Sequence, residues 1–223
     1  MINPTSGKVT FPLCLSLTKK KRTWNDSPCL SCCIGFSLNW FSNLDVNPVA
    51  PIYVGQLQNG VVWIRVEGKG SFQNSQGLKK FADLMIDRGS KEFVIDLENC
   101  PVMDSTFMGT LVGIKKSLEP ENQRNLEVIN ANSRNTQLLV SLGIDLLLKL
   151  DTEGNAWPKI RNKISNYIQN GQYLDIAEMS KEENIQQSLE AHQNLSNADK
   201  DNVPRFKDVI HFLEQELGQQ SAS

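Results

Sequence analysis

The run Val94-Ile95-Asp96-Leu97-Glu98-Asn99-Cys100-Pro101-Val102-Met103-Asp104-Ser105-Thr106-Phe107-Met108-Gly109 governs how the rest of this 223-residue chain is understood. Phe93 to Leu97 is almost continuously apolar, the pattern of a strand buried on both faces. A short loop through Cys100 and Pro101 then leads to an acidic residue and two hydroxyls at the mouth of a helix. Asp104 is suited to cap the first backbone N–H groups of that helix and to face the positive end of its dipole. The helix carries the apolar stripe Phe107, Leu111, Ile114 and Leu118 and stops before Pro120. Ser105 and Thr106 fall in its first turn, where they are expected at the sheet edge and within reach of solvent.

Upstream, Ile52 to Leu57 is a short β-prone run, Asn59-Gly60 is a hairpin signal, and Val61 to Val66 continues as a second strand. Gly68, Gly70 and Ser71 break that strand. A helix follows, with Leu78, Phe81, Ala82 and Met85 on one stripe and Gly89 at its end. Downstream, Leu126 to Ile129 is a strand, and Ser133 caps a third helix with Leu138, Leu139 and Leu142. Gly143 ends that helix, and Leu146 to Leu150 is a last short strand. The order β-β-α-β-α-β-α-β predicts an α/β fold, a small mixed sheet with helices packed on it, over residues 52–150.

Residues 151–223 are acidic and read as helices alone. Ser180-Lys181-Glu182-Glu183 is a capping-box sequence ahead of Ile185 and Leu189. Phe206, Val209, Ile210, Leu213 and Leu217 mark a second amphipathic helix closed by Gly218, across a polar loop from Asn197 to Pro204. This predicts a C-terminal helical hairpin with one sticky face, docked on the core or on a second copy to form a homodimer. Residues 1–48 lack periodicity and carry Lys19 to Arg22 and four of the five cysteines. They are expected to be a disordered tail or an over-called leader.

Composition narrows the function classes. A hydrophobic content of 39% supports a packed core, and a formal net charge of -2 gives no field that recommends nucleic acid. An odd cysteine count, with only Cys100 in the domain, fits a reducing compartment, so the cytoplasm is expected. The longest apolar stretch, Cys29 to Phe41, is too short and too interrupted to span a membrane. Cys29, Cys32 and Cys33 contain a C-x-x-C element with no second pair, and no metal or other cofactor is expected. Gly68-Lys69-Gly70-Ser71 lacks the spacing of a phosphate loop. Gly109 and Gly113, four apart within a helix, are expected to let that helix lie close on the sheet. His192 and His211 are not expected to pair with any nucleophile of the core, so no catalytic constellation is found and an enzyme is not expected.

The strand with Asp96-Leu97, the segment Met103-Asp104-Ser105-Thr106, the nearby Gly109 and the late Leu142-Gly143-Ile144 together resemble the STAS family, in particular its anti-sigma factor antagonists. The resemblance implies that the chain is a protein-binding module in a bacterial partner-switching pathway of transcription regulation and signal transduction. It implies phosphorylation of Thr106, with Ser105 the lesser candidate, by an anti-sigma factor that is a serine kinase of the histidine-kinase-like ATPase type. The unmodified form would sequester that partner, phosphorylation would end the binding, and a phosphatase would reset it. The partner surface implied is Gly70, Ser71, Phe72, Asp104, Ser105, Thr106 and Phe107. Three positions depart from the family pattern. Phe107 stands where antagonists usually have glycine, Thr106 replaces the commoner serine, and Ser71 stands where the family often has an aspartate that contacts the kinase. The alternatives are a non-phosphorylated STAS scaffold or accessory subunit of a signalling or lipid-transport complex, and a small-ligand regulator using the Gly68–Phe72 edge.

Overall fold

The computed structural model describes residues 51–57, 60–118, 125–158, 172–174 and 179–220. They all belong to the unit Val46–Ser223. The expected leader over residues 1–48 and the residues Asn59 and Pro120 lie outside the described residues.

Six strands form one sheet: β1 (Ile52–Gln56), β2 (Val62–Val66), β3 (Glu92–Asp96), β4 (Asn125–Ile129), β5 (Lys149–Leu150) and β6 (Gln172–Leu174), in the order β5-β4-β3-β2-β1-β6. β1 runs antiparallel to β2 and to β6, while β2, β3, β4 and β5 are mutually parallel neighbours. The sheet is therefore mixed, as the alternation of strands and helices predicts. Gly60 takes a φ of +86° at the β1–β2 turn, a conformation that costs glycine little.

Three helices complete the domain: α1 (Phe72–Asp87), α2 (Ser105–Leu118) and α3 (Ser133–Ser141). Val62, Ile64, Val66, Phe93, Ile95, Leu126 and Val128 join Leu78, Ala82, Leu111, Ile114 and Leu139 in one buried cluster. Val61, Trp63, Val94 and Ile129 form a second cluster on the other face, with Trp157 against it. Both faces of β3 are covered, which is why Phe93, Val94 and Ile95 are apolar without alternation. At the strand's end, buried Asp96 pairs with Arg65 at 2.8 Å and accepts from Asn130 at 2.8 Å.

Beyond the domain lie α4 (Lys181–Ala198) and α5 (Val203–Gln220), joined by a 3-10 turn at Lys200–Asn202. The capping box at α4 is present in both directions: Ser180 Oγ accepts from Glu183 N–H at 3.1 Å, and Glu183 accepts from Ser180 N–H at 2.9 Å. Of the two expected dockings for the hairpin, the structure has the one on the core. α4 lies along α2, and α5 folds back on α4.

Three boundaries differ from expectation, and one strand is additional. The cap of α3 is Asn132, whose side chain accepts from Asn135 N–H at 2.8 Å, and Ser133 is already helical. The expected strand from Leu146 is a 3-10 turn over Ile144–Leu146 with only Lys149–Leu150 paired, because Gly143, at φ +66°, turns the chain back immediately. α5 continues through Gly218 to Gln220, since that glycine is not in the left-handed conformation that ends a helix. Strand β6 falls in a stretch whose sequence reads as helical.

Candidate functional site

The residues singled out in the sequence meet at the end of the sheet where α1 and α2 both begin. Asp104 ties these starts together: its Oδ1 accepts from Phe107 N–H at 2.8 Å and its Oδ2 from Phe72 N–H at 2.9 Å. One carboxylate thus satisfies free donors at two helix N-termini, where its charge also complements both dipoles. Backbone bonds fix the loop that leads into α1. Asp104 N–H donates to Gly70 O at 2.9 Å, Gly70 N–H to Val102 O at 3.1 Å, and Gly68 N–H to Asn99 O at 3.0 Å. With the Gly68 and Gly70 amides already spent on carbonyls, they do not form a cradle for phosphate oxygens.

Phe107 does not stand at the surface. Its side chain is fully buried, and its ring lies under Gly70, where an added Cβ would come within 2.8 Å of the ring. The bulky residue at this position is accommodated by a glycine on the facing loop. The expected partner-contact role of Phe107 therefore does not fit its side chain, which belongs to the core. Phe72, by contrast, is 45% exposed, and Ser71 and Asp104 are partly exposed.

The two hydroxyls differ sharply. Thr106 is only 5% exposed, against the expectation that it is reachable from solvent. Ser105 is partly exposed, and its Oγ lies 2.9 Å from His192 Nε2 on α4. His192 Nδ1 lies 2.7 Å from the Ser188 carbonyl, which can only accept, so Nδ1 carries the proton. In the neutral ring Nε2 is then the acceptor, and the Ser105 hydroxyl donates to it. This overturns the expectation that neither histidine pairs with a core hydroxyl. The pair has the geometry of a nucleophile and base, but the imidazole is oriented by a carbonyl of its own helix and not by a carboxylate. Its evident effect is to hold α4 at the mouth of α2.

The remaining α2–α4 contacts extend that joint. Gly109 and Gly113 face α4 and not the sheet, contrary to expectation. A Cβ on Gly109 would lie 2.1 Å from the Ala191 carbonyl oxygen, and one on Gly113 would lie 2.8 Å from Asn194 Nδ2. Gln187 donates to Thr110 Oγ1 at 3.2 Å, and Lys116 donates to Asn194 at 3.0 Å. Nearer α1, Lys79 pairs with Glu190 at 2.9 Å. Asp83 in the same cleft has its carboxyl raised by burial, offset by Lys79 and reinforced by Glu190. Cys100, behind the loop, is buried, and that burial pushes its thiol up.

Among the described residues, no group of three or more His, Cys, Asp or Glu could hold a metal ion. No described helix is long and apolar enough to cross a membrane.

Comparison with known proteins agrees with this architecture. Residues 55–164 match the family model described as STAS domain. Three solved structures overlap about half of this chain. A putative anti-sigma factor antagonist from Thermotoga maritima is 20% identical, with 49% of this chain and 94% of that one covered, at a TM-score of 0.43. The anti-sigma factor antagonist SpoIIAA in its unphosphorylated form is 18% identical, with 49% and 97% covered, at a TM-score of 0.40. The Bacillus cell fate determinant SpoIIAA in its phosphorylated form is 19% identical, with 49% and 99% covered, at a TM-score of 0.41. No curated protein matches the sequence. Residues 55–164 thus match the STAS domain model, and the described part of that stretch has the small mixed α/β sheet with helices packed on it.

Proposed function

We propose that this chain is an anti-sigma factor antagonist of the partner-switching kind, working in the cytoplasm. The observation that carries the proposal is the joint start of α1 and α2. There a single carboxylate, Asp104, accepts from the Phe72 and Phe107 amides and so fixes the start of α1 to the first turn of α2, the turn that carries Ser105 and Thr106. Its partner would be an anti-sigma factor with serine-kinase activity, met on the surface formed by Ser71, Phe72, Asp104 and Ser105. Thr106 is the acceptor implied by the family motif, and Ser105 is the outer hydroxyl.

A phosphate in this first turn brings about -1.5 to -2 charges and three acceptor oxygens. The domain tolerates that charge, because a helix N-terminus favours an anion by roughly 0.3–1 kcal/mol. A partner surface matched to a neutral hydroxyl beside Asp104 does not tolerate it, so modification changes affinity while the fold persists. A phosphatase restores the neutral form.

Phosphate-affinity electrophoresis and intact mass on protein from its native cell test this directly. The parent is expected to carry a single phosphate that disappears in Thr106→Ala, or in Ser105→Ala if the outer hydroxyl is used. Absence of any phosphate under all growth conditions would overturn the switch. One observation favours a second reading, a non-phosphorylated scaffold or accessory subunit. Thr106 is 5% exposed, and a kinase must first gain access to it.

A further inference from the structure

We propose that the α4–α5 hairpin is a detachable occupant of a helix-docking face on α2, so that an outside protein engages Ser105 only by displacing it. The regulatory meaning of this rests on the docking surface proposed above, whereas the existence of the face does not.

Three observations support it. First, the face is built for a close helix crossing. Gly109 and Gly113 leave its floor flat, and the Ala191 backbone lies against Gly109 where a Cβ would come within 2.1 Å of its oxygen. Glycine is unfavourable inside a helix, so two of them at this spacing mark a surface that another backbone must approach. Second, the main core is made by the sheet and α1–α3. Of the buried apolar α4 side chains, Ile185, Leu189 and Ala191 lie outside it, and the hairpin reaches it through Leu195, with partly buried Ala198 and Phe206 against its edge. Third, the side-chain bonds of the joint are polar ones that water or another amide-bearing helix can replace once the faces part: Lys79–Glu190, Lys116–Asn194, the buried Gln187–Thr110 and Ser105–His192. Removing the hairpin also releases Asn202 from Leu142 O and Arg205 from Ser141 O.

The occupant shows what a competitor must look like. It is a helix with a small residue at the crossing point and amide side chains on either side, as Ala191 lies between Gln187 and Asn194. Such a helix in the anti-sigma factor would meet the same glycine floor and would free Ser105 from His192 on arrival.

Ala191→Leu in the full chain tests the proposal. Leucine is a strong helix former, so α4 stays helical, but residue 191 is only 2% exposed where its backbone crosses α2, and the larger side chain has no room there. The probe is a labelled synthetic peptide of residues 179–220, followed by fluorescence anisotropy. Ala191→Leu is expected to bind it at least tenfold more tightly than the parent, and a further Gly109→Val is expected to abolish that gain. Equal binding by parent and Ala191→Leu overturns the proposal. If Ala191→Leu unfolds the whole domain, the hairpin is structural and the proposal also falls. The parent gives an independent answer through hydrogen exchange in mild urea. Amides of α4 and α5 should open before those of β3 and β4, and simultaneous opening overturns the proposal. A concentration-dependent dimer of the parent that exchanges hairpins assigns the face to a second copy and overturns the single-chain arrangement. None of these arms uses phosphate or the native partner. Success here without any phosphate at Ser105 or Thr106 would leave the docking face standing and remove only the switch.

Discussion

Replacing Gly109 with alanine separates a local helix effect from a tertiary one. In a free helix the change stabilises by roughly 0.8–1 kcal/mol. Here the new Cβ would lie 2.1 Å from the Ala191 oxygen and 2.6 Å from its carbonyl carbon, and both atoms are backbone. No rotamer relieves this contact, so α4 must retreat by about 1 Å to restore van der Waals separation. A gap of that size forfeits about a quarter to a half of the dispersion attraction across a contact. Burial of Ile185, Leu189 and Leu195 contributes on the order of 5–9 kcal/mol as an upper value. The retreat therefore costs about 2–4 kcal/mol, against about 1 kcal/mol gained in helix propensity. The net loss, about 1–3 kcal/mol, corresponds to a roughly 5- to 150-fold fall in exchange protection for Lys181–Ala198. Hydrogen exchange with mass readout measures it, with the peptides of β3 and β4 as internal controls. Unchanged or increased protection of α4, together with a raised Tm, would refute the reasoning, because propensity alone would then have prevailed.

Other substitutions probe the rest of the site. Gly70→Ala presses a Cβ to within 2.8 Å of the buried Phe107 ring. It should cost about 1–3 kcal/mol in urea denaturation, partly recovered by adding Phe107→Leu. Asp104→Ala removes the acceptor for two helix starts and is expected to lose roughly 1–3 kcal/mol by the same assay. Cys100, with its thiol pushed up by burial, should be alkylated at pH 8 at least about tenfold more slowly in native than in urea-unfolded protein, read by peptide mass. The sign for stability follows. A folded thiol raised above its unfolded value contributes below the ordinary thiol range, and that contribution is lost as pH rises through the folded value. A pH series of unfolding midpoints should therefore fall more steeply above pH 8 for the parent than for Cys100→Ala.

Much of the domain was legible because its signals are local. The nearly continuous apolar run at β3, the stripe of α2 and the Ser180–Glu183 box each state an element within a few residues, and the structure has all three. The features that were missed depend on partners far along the chain. The three-residue β6 pairs with β1 more than 100 residues away and carries no pattern of its own. Gly109 and Gly113 do mark a close approach, but the sequence does not say whether to the sheet or to another helix. The Ser105–His192 pair joins positions 87 apart, and a lone histidine on a helix does not announce what faces it. Leu146 is 81% exposed, yet its sequence run reads as a strand, because apolar residues count towards one whether or not they are buried.

The hydroxyls at the start of α2 remain the centre of the account, and the charge they carry is its variable. The most direct measurement is the affinity of the purified partner, captured by the parent chain in its native cell, for the parent and for Thr106→Glu under identical salt. The account predicts at least tenfold weaker binding by the glutamate variant with its fold intact by circular dichroism. Equal affinity for the two proteins would contradict it.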